Sequence, residues 1–496
     1  MPTTQHHIIR RQFLHVEMYG TESDGLALQH RLPDLCQSWL MPALERMLER
    51  VVPPHEHWII DSLDIDVGMI TLDNLERDLT EAVTQAIEKQ LRERAPPTAV
   101  SDASFISPMQ RKTEPQSVHE AFIHFLKTGS LPWWFHLPAG ETLEQAVQAS
   151  WQATAVGPVY FARSMLDAIG SASVQKRLAQ QFSADFLEAL LASISQEGTK
   201  AMHEVFAKLG NRDFASGALR RFSIQLWQMA FAAAAVGRHP AAGTLVAECW
   251  SALHDAERHE PALLERMTQH WPEALEAANL NDHANANADA GLRQRSSKER
   301  TLPNSNARHE AGMAKQANRA ERDEMIEHVD LKEGVYIDCA GLVLLHPFLP
   351  RLFEGVGIAA EDKLMQPERA LCLLHFLATG QRVAPEYELL LPKLLCNVPL
   401  EAPVESLIEL TAEEEAEAAA LLQAVIQHWD ALGDTSADGL RGTFLVRPGK
   451  LSQRDDGDYL LQVEPRSFDI LMDKLPWGIG AIKLPWMEKM LWVEWR

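Results

Sequence analysis

Apolar positions along the chain recur mostly at helical spacing. Leu72, Leu75, Leu79, Val83, Ile87 and Leu91 follow one another at steps of three and four, which lays one apolar stripe along a helix. Asp73 and Glu76 read as a capping pair at its start. Upstream, Leu28, Leu32, Leu35, Trp39, Leu44 and Leu48 keep the same spacing, and Pro33 and Pro42 are expected to break that run into pieces. Two stretches alternate instead. Leu14, Val16 and Met18 predict a strand with one buried face. Trp58 to Val67 predicts a second, with Leu63, Ile65 and Val67 on one face, Asp64 and Asp66 on the other, and Gly68 at its end. Residues 1–95 thus read as an α+β module in the order strand, helix, strand, helix, closed by Pro96-Pro97.

Residues 96–118 are polar, carry Pro and Ser, and read as a linker. From 119 to 276 the pattern is helical and rich in Ala, Leu, Gln and Glu, as in a bundle or irregular helical array. Residues 277–329 lose their large apolar side chains and have the composition of a disordered linker, with weak local helix expected around Ala311 to Glu324. Residues 330–496 begin with helical patterns and end in alternating ones, at Tyr459, Leu461 and Val463 and again at Leu491, Val493 and Trp495. The expected fold is mainly α, with small α+β modules at the N- and C-terminal ends of a multidomain chain. One echo crosses these regions. His124-Phe125-Leu126-Lys127-Thr128-Gly129 matches His375-Phe376-Leu377-Ala378-Thr379-Gly380 at all but one position. Each copy predicts a helix ended by a left-handed glycine. A coincidence of helix-ending residues and a helical unit shared by the two regions explain the match equally well.

Composition narrows the function classes. The 496 residues carry a formal net charge of −23. That balance argues against nucleic acid and against an anionic membrane surface, both of which draw affinity from clustered Lys and Arg. Five scattered cysteines without a CxxC pair suit free thiols in a reducing compartment. The apolar run Trp227 to Val236 stops well short of the roughly 20 residues a membrane span needs. The start of the chain has no apolar core of signal-peptide length, so we expect a cytosolic protein without nucleic-acid or membrane partners.

No phosphate loop, dinucleotide fingerprint, HExxH pair or nucleophile elbow occurs in the sequence. Asp61, Asp64 and Asp66 could suggest a metal or acid/base cluster, but a strand puts Asp64 and Asp66 on one face and Asp61 on the other, so they read as solvated positions. Glu413, Glu414, Glu415 and Glu417 read as the acidic first turn of a helix capped by Thr411. His6, His7, His55 and His57 lack partners at ligand spacing, and His346 sits in an apolar run that suits a hydrogen-bonded core histidine. Cys339, Cys372 and Cys396 lie in apolar settings without an activating base. We therefore expect no catalytic residues, no metal and no cofactor. Tryptophan is the distinctive feature. Leu475-Pro476-Trp477 recurs as Leu484-Pro485-Trp486, and Leu131-Pro132-Trp133 precedes Trp134. Four of the 13 tryptophans lie in the last 20 residues. Trp133, Trp134, Trp477, Trp486, Trp492 and Trp495 are candidates either for domain cores or for a partner interface, the two settings that Trp suits.

Several of these stretches resemble the tape measure family of contractile injection systems, the phage-tail-like particles that carry toxins. The resemblance runs through His7-Ile8-Ile9-Arg10-Arg11-Gln12-Phe13, Ile60 to Gly68, and Phe125 to Trp134. It is most specific in Ala340 to Pro350, Pro385 to Leu389, Lys393 to Cys396, His428-Trp429, Arg441, the two Leu-Pro-Trp copies and Val493-Glu494-Trp495. It implies a non-catalytic assembly protein that sets tube and sheath length. Its implied partners are the inner tube and the baseplate or spike proteins, with a homo-oligomer inside the tube as a further expectation. Its implied location is the cytoplasm during assembly and then the finished particle. An assembly chaperone or baseplate-to-tube adaptor without length control is the alternative, and a toxin or enzyme cargo is a remoter one. A ruler needs reach: a fully helical chain of this length would span on the order of 740 Å. With 27 prolines and 26 glycines the sequence does not read as one such helix.

Overall fold

The computed structural model describes residues 7–9, 12–53, 56–94, 109–138, 140–153, 157–210, 217–276, 331–332, 334–406 and 408–495. The expectations for His6, His55, Arg10-Arg11 and the 277–329 segment lie outside them. The fold is mainly α, with small sheets. It divides into two compact units, one of Met1–Ala121 with Trp134–Thr154, the other of Phe122–Trp133 with Ala155–Arg496.

In the first unit, helices α1 (Glu22–Leu35) and α2 (Met41–Val51) are joined by a five-residue π turn, Cys36–Leu40. Thr21 and Asp24 form a capping box at the start of α1. The prolines do not break the run as the spacing suggested. Pro33 lies inside α1, and Pro42 lies in the first turn of α2, where a missing N–H costs least. The wide turn between them closes with the Met41 N–H on the Cys36 carbonyl and takes up the misfit. Strand β1 (Glu56–Ile60) precedes helix α3 (Leu75–Arg94), whose buried Leu75, Leu79 and Leu91 face Leu35, Leu40, Leu44 and Met47. Glu76, expected to pair with Asp73 at the start of this helix, also accepts from Arg31 at 2.7 Å.

Two strand expectations are corrected here. Residues 12–19 form no ladder among the described residues, and Leu14 and Val16 are exposed. The second strand covers Glu56–Ile60 only. Beyond it, Leu63, Ile65 and Val67 turn inward and Asp64 and Asp66 outward without a ladder. Alternation records which side is buried; it does not supply a backbone partner. The partner of β1 is strand β2 (Met109–Thr113), from within the expected linker. Trp58 sits opposite Arg111, whose guanidinium lies 5.0 Å from the indole centroid and grips Glu56 through bonds of 2.9, 2.7 and 2.6 Å. Helix α4 (Glu114–Thr128) follows directly, and α5 (Leu143–Ala153) completes the elements before the helical array.

That array comprises α6 (Gly157–Ala168), α7 (Ala172–Gln181), α8 (Ala184–Ile194), α9 (Gln196–Leu209), α10 (Gly217–Ala235), α11 (Ala242–Ala252), α12 (Asp255–Arg258) and α13 (Pro261–His270). Ser183 and Ser195 cap α8 and α9. The apolar α10 runs through the centre and packs on α6, α7, α8, α9, α11 and α13, so its Trp227, Phe231 and alanines are core. No helix among the described residues is long and apolar enough to cross a membrane.

Residues 331–495 build helices around a five-stranded sheet. Strands β3 (Val335–Ile337), β6 (Gly449–Gln453), β7 (Tyr459–Val463), β9 (Leu491–Glu494) and β8 (Ala481–Ile482) lie in the order 3-6-7-9-8. A separate hairpin pairs β4 (Ala359–Ala360) with β5 (Lys363–Leu364). All pairs are antiparallel except β7 with β9, where Leu461 lies beside Val493. Both alternating patterns fall on these central strands, with Leu461, Val463, Leu491 and Val493 buried. The helical opening expected at residue 330 is preceded by β3, which pairs 112 or more residues downstream with β6. One crossing leaves no room for a side chain: a Cβ on Gly341 would lie 1.6 Å from the Phe444 carbonyl oxygen.

Candidate functional site

The six candidate tryptophans occupy different settings. Trp477 donates to the Leu344 carbonyl at 3.1 Å and meets Phe348 edge-on. Trp486, in the second Leu-Pro-Trp copy, donates to the Leu395 carbonyl at 2.8 Å and stacks on Phe353. Each ring is thus packed into the C-terminal core with its one polar atom satisfied at the end of a short helix. Trp495 is buried against Arg447, which holds Asp469 through bonds of 2.7 and 2.9 Å. Burial pushes the Asp469 carboxyl up, but Arg447, the Arg466 N–H and Trp495 outweigh it and hold it below its usual value. Trp492 is 38% exposed, bonds Asp458 and carries Arg454 over its ring. Trp133 is half-buried in the second unit. Trp134 is half-buried in the first, with Lys112 over its face.

The other sequence candidates are spread over several elements. Thr411 and Glu414 form a reciprocal capping box at helix Ala412–His428, and Glu414 also receives Arg369 at 2.9 Å. Asp61, Asp64 and Asp66 are exposed. His346 contacts the Val343 carbonyl through Nδ1 at 2.9 Å, and burial lowers its pKa. Burial raises the Cys339 and Cys372 thiols to about 12 and Cys249 and Cys396 well above their usual value. No group of three His, Cys, Asp or Glu able to hold a metal occurs among the described residues.

The two copies of the echo fold alike. Helix α4 ends at Gly129 with φ +80°, helix Pro367–Thr379 at Gly380 with φ +75°. Gly129 N–H donates to Phe125 O at 2.7 Å and Gly380 N–H to Phe376 O at 2.8 Å. Thr128 Oγ1 donates to His124 O, as Thr379 Oγ1 does to His375 O. In each copy an arginine from another element donates to the leucine carbonyl left open by the helix end: Arg177 to Leu126 O, Arg441 to Leu377 O. The two arginines differ in what else they meet. Arg441 is partly exposed and pairs with the exposed Asp438. Arg177 is fully buried, and so are its partner Glu386 and the next cation, Lys393.

All three side chains of this cluster are fully buried. Arg177 Nε and Nη2 donate to the two Glu386 oxygens at 2.9 and 3.0 Å. Lys393 Nζ donates to Glu386 Oε1 at 2.7 Å and to the Leu400 and Ala402 carbonyls at 2.8 Å each. Arg177 also reaches the Glu401 carbonyl. One anion faces two cations, and the peptide carbonyls absorb the surplus positive charge. Burial lowers the Lys393 pKa, with Glu386 acting against it. Gly129 lines the cluster closely: a Cβ there would sit 2.3 Å from Glu386 Oε1. The sequence held one overlooked signal, a single lysine inside the apolar run Leu389-Leu390-Leu391-Pro392-Lys393-Leu394-Leu395 with Glu386 just upstream. Arg177 had none, because its partner lies 209 residues away.

Charged groups used this way join elements together and present no reactive atom to an open cleft. A match over residues 6–495 places the chain among the proteins of contractile injection systems. The matching family is described as contractile injection system tape measure protein, and the chain belongs to it. No curated protein and no solved structure matches the chain.

Proposed function

We propose that this chain is a non-catalytic assembly protein that sets the length of tube and sheath in a contractile injection particle. The family match across nearly the whole chain is the observation that carries this reading. Its partners are then the inner tube and the baseplate or spike proteins. It assembles in the cytoplasm and is retained in the finished particle. The acidic balance of −23 supports protein partners over nucleic acid. The adjustable length comes from the helical array and the polar stretch after it, while the two ends act as folded anchors. Of the six candidate tryptophans, Trp492 is the most exposed and so the best placed for a partner.

One observation favours the adaptor reading: each unit folds around buried apolar residues of its own, as an adaptor would. Mass spectrometry of purified particles separates a retained protein, ruler or adaptor, from a chaperone. A ruler is recovered in fixed proportion to the baseplate. Presence in assembling cells but absence from finished particles would identify a chaperone.

A further inference from the structure

The Arg177–Glu386–Lys393 cluster lies on a seam inside the second unit. On one side stand the end of α4 and the helical array; on the other stands the segment 386–406 with the core behind it. That core draws its buried apolar residues from Leu331 onward, among the described residues. The array has its own, including Phe186, Leu190, Val205, Phe222, Leu226 and Phe231. What crosses the seam is largely polar. Besides the buried cluster, Gln181 accepts from Glu386 N–H at 2.9 Å and donates to Val404 O at 2.7 Å. Ser406 donates to Gln180 O at 3.0 Å, and Arg220 pairs with Glu405. Phe125 adds an edge contact with Tyr387.

We propose that this cluster is a latch: it holds the helical array against segment 386–406, and its release lets the two sides part while each keeps its core. An apolar seam loses its burial when it opens. A seam of buried charges regains hydration instead, which offsets the contacts given up. Such a joint specifies one docked arrangement without making it permanent. The second Thr-Gly helix end serves as the internal comparison. There the same helix end is closed by Arg441 with an exposed Asp438, so capping requires neither a buried anion nor a second cation. Glu386 and Lys393 are what the first site has in addition, and both belong to the far side of the seam. The latch concerns the isolated chain and stands apart from whether the protein sets length.

Hydrogen exchange on the full-length protein tests it. In Glu386→Gln, exchange should rise at least about tenfold in 172–181 and 386–406, with α10 and β6–β7 unchanged. Unchanged exchange in those two segments overturns the proposal. Glu386→Gln leaves two buried cations without their anion and can unfold the chain. The rim variant Gln181→Ala with Arg220→Gln decides that case. A smaller rise confined to the same segments supports the latch; a uniform rise, or none, overturns it.

Discussion

Single side chains in this protein report their surroundings through protonation. His119 is 7% exposed, and burial lowers its pKa from 6.5 to about 4. The folded state therefore keeps it neutral while the unfolded chain takes up a proton. Stability is fully present above about pH 6.5, falls as the pH drops toward 4, and levels off below that. The whole effect amounts to about 3 kcal/mol. Denaturant titrations across this window should show wild type losing that much more stability than His119→Gln. Parallel pH profiles for the two proteins would contradict the assignment.

Helix ends carry the next level of specification. Both Thr-Gly ends hold a glycine at positive φ, where an L side chain is strained by about 1–2 kcal/mol. At Gly380 an added Cβ meets Arg441 at 3.5 Å, an ordinary contact, so Gly380→Ala should cost no more than that strain. At Gly129 it would strike a buried carboxylate already held by two cations, and Gly129→Ala should cost about 3–5 kcal/mol, the scale of a broken buried ion pair. Equal losses in chemical denaturation would refute the difference between the two sites. The helix ends themselves were legible in the sequence because Thr-Gly after an apolar helical face is a local signal. So were the stripe of α3 and the alternation of β7 and β9. What escaped depended on distant partners. Strand β2 exists because β1 lies opposite it and Glu56 fixes Arg111, which the polar composition of the region could not reveal. Residues 12–19 and 63–67 alternate in sequence without a ladder for the same reason, and Arg177 gave no hint of Glu386.

At the scale of the whole molecule, the family motifs fall at structural anchors. Ala340 to Pro350 includes the close crossing at Gly341, Pro385 to Leu389 holds Glu386, and the Leu-Pro-Trp copies fix two indoles in the core. Motifs of this kind mark how the ends fold, which is why they located the family yet left the working mechanism open. A compact second unit and a length-setting role are reconciled if the array can leave its seam. The most direct measurement is particle length by electron microscopy, with part of residues 150–325 deleted or duplicated. Tails should shorten or lengthen in step with the residues removed or added, by up to about 1.5 Å per residue where the segment is helical. Particles of unchanged length would contradict the length-setting account.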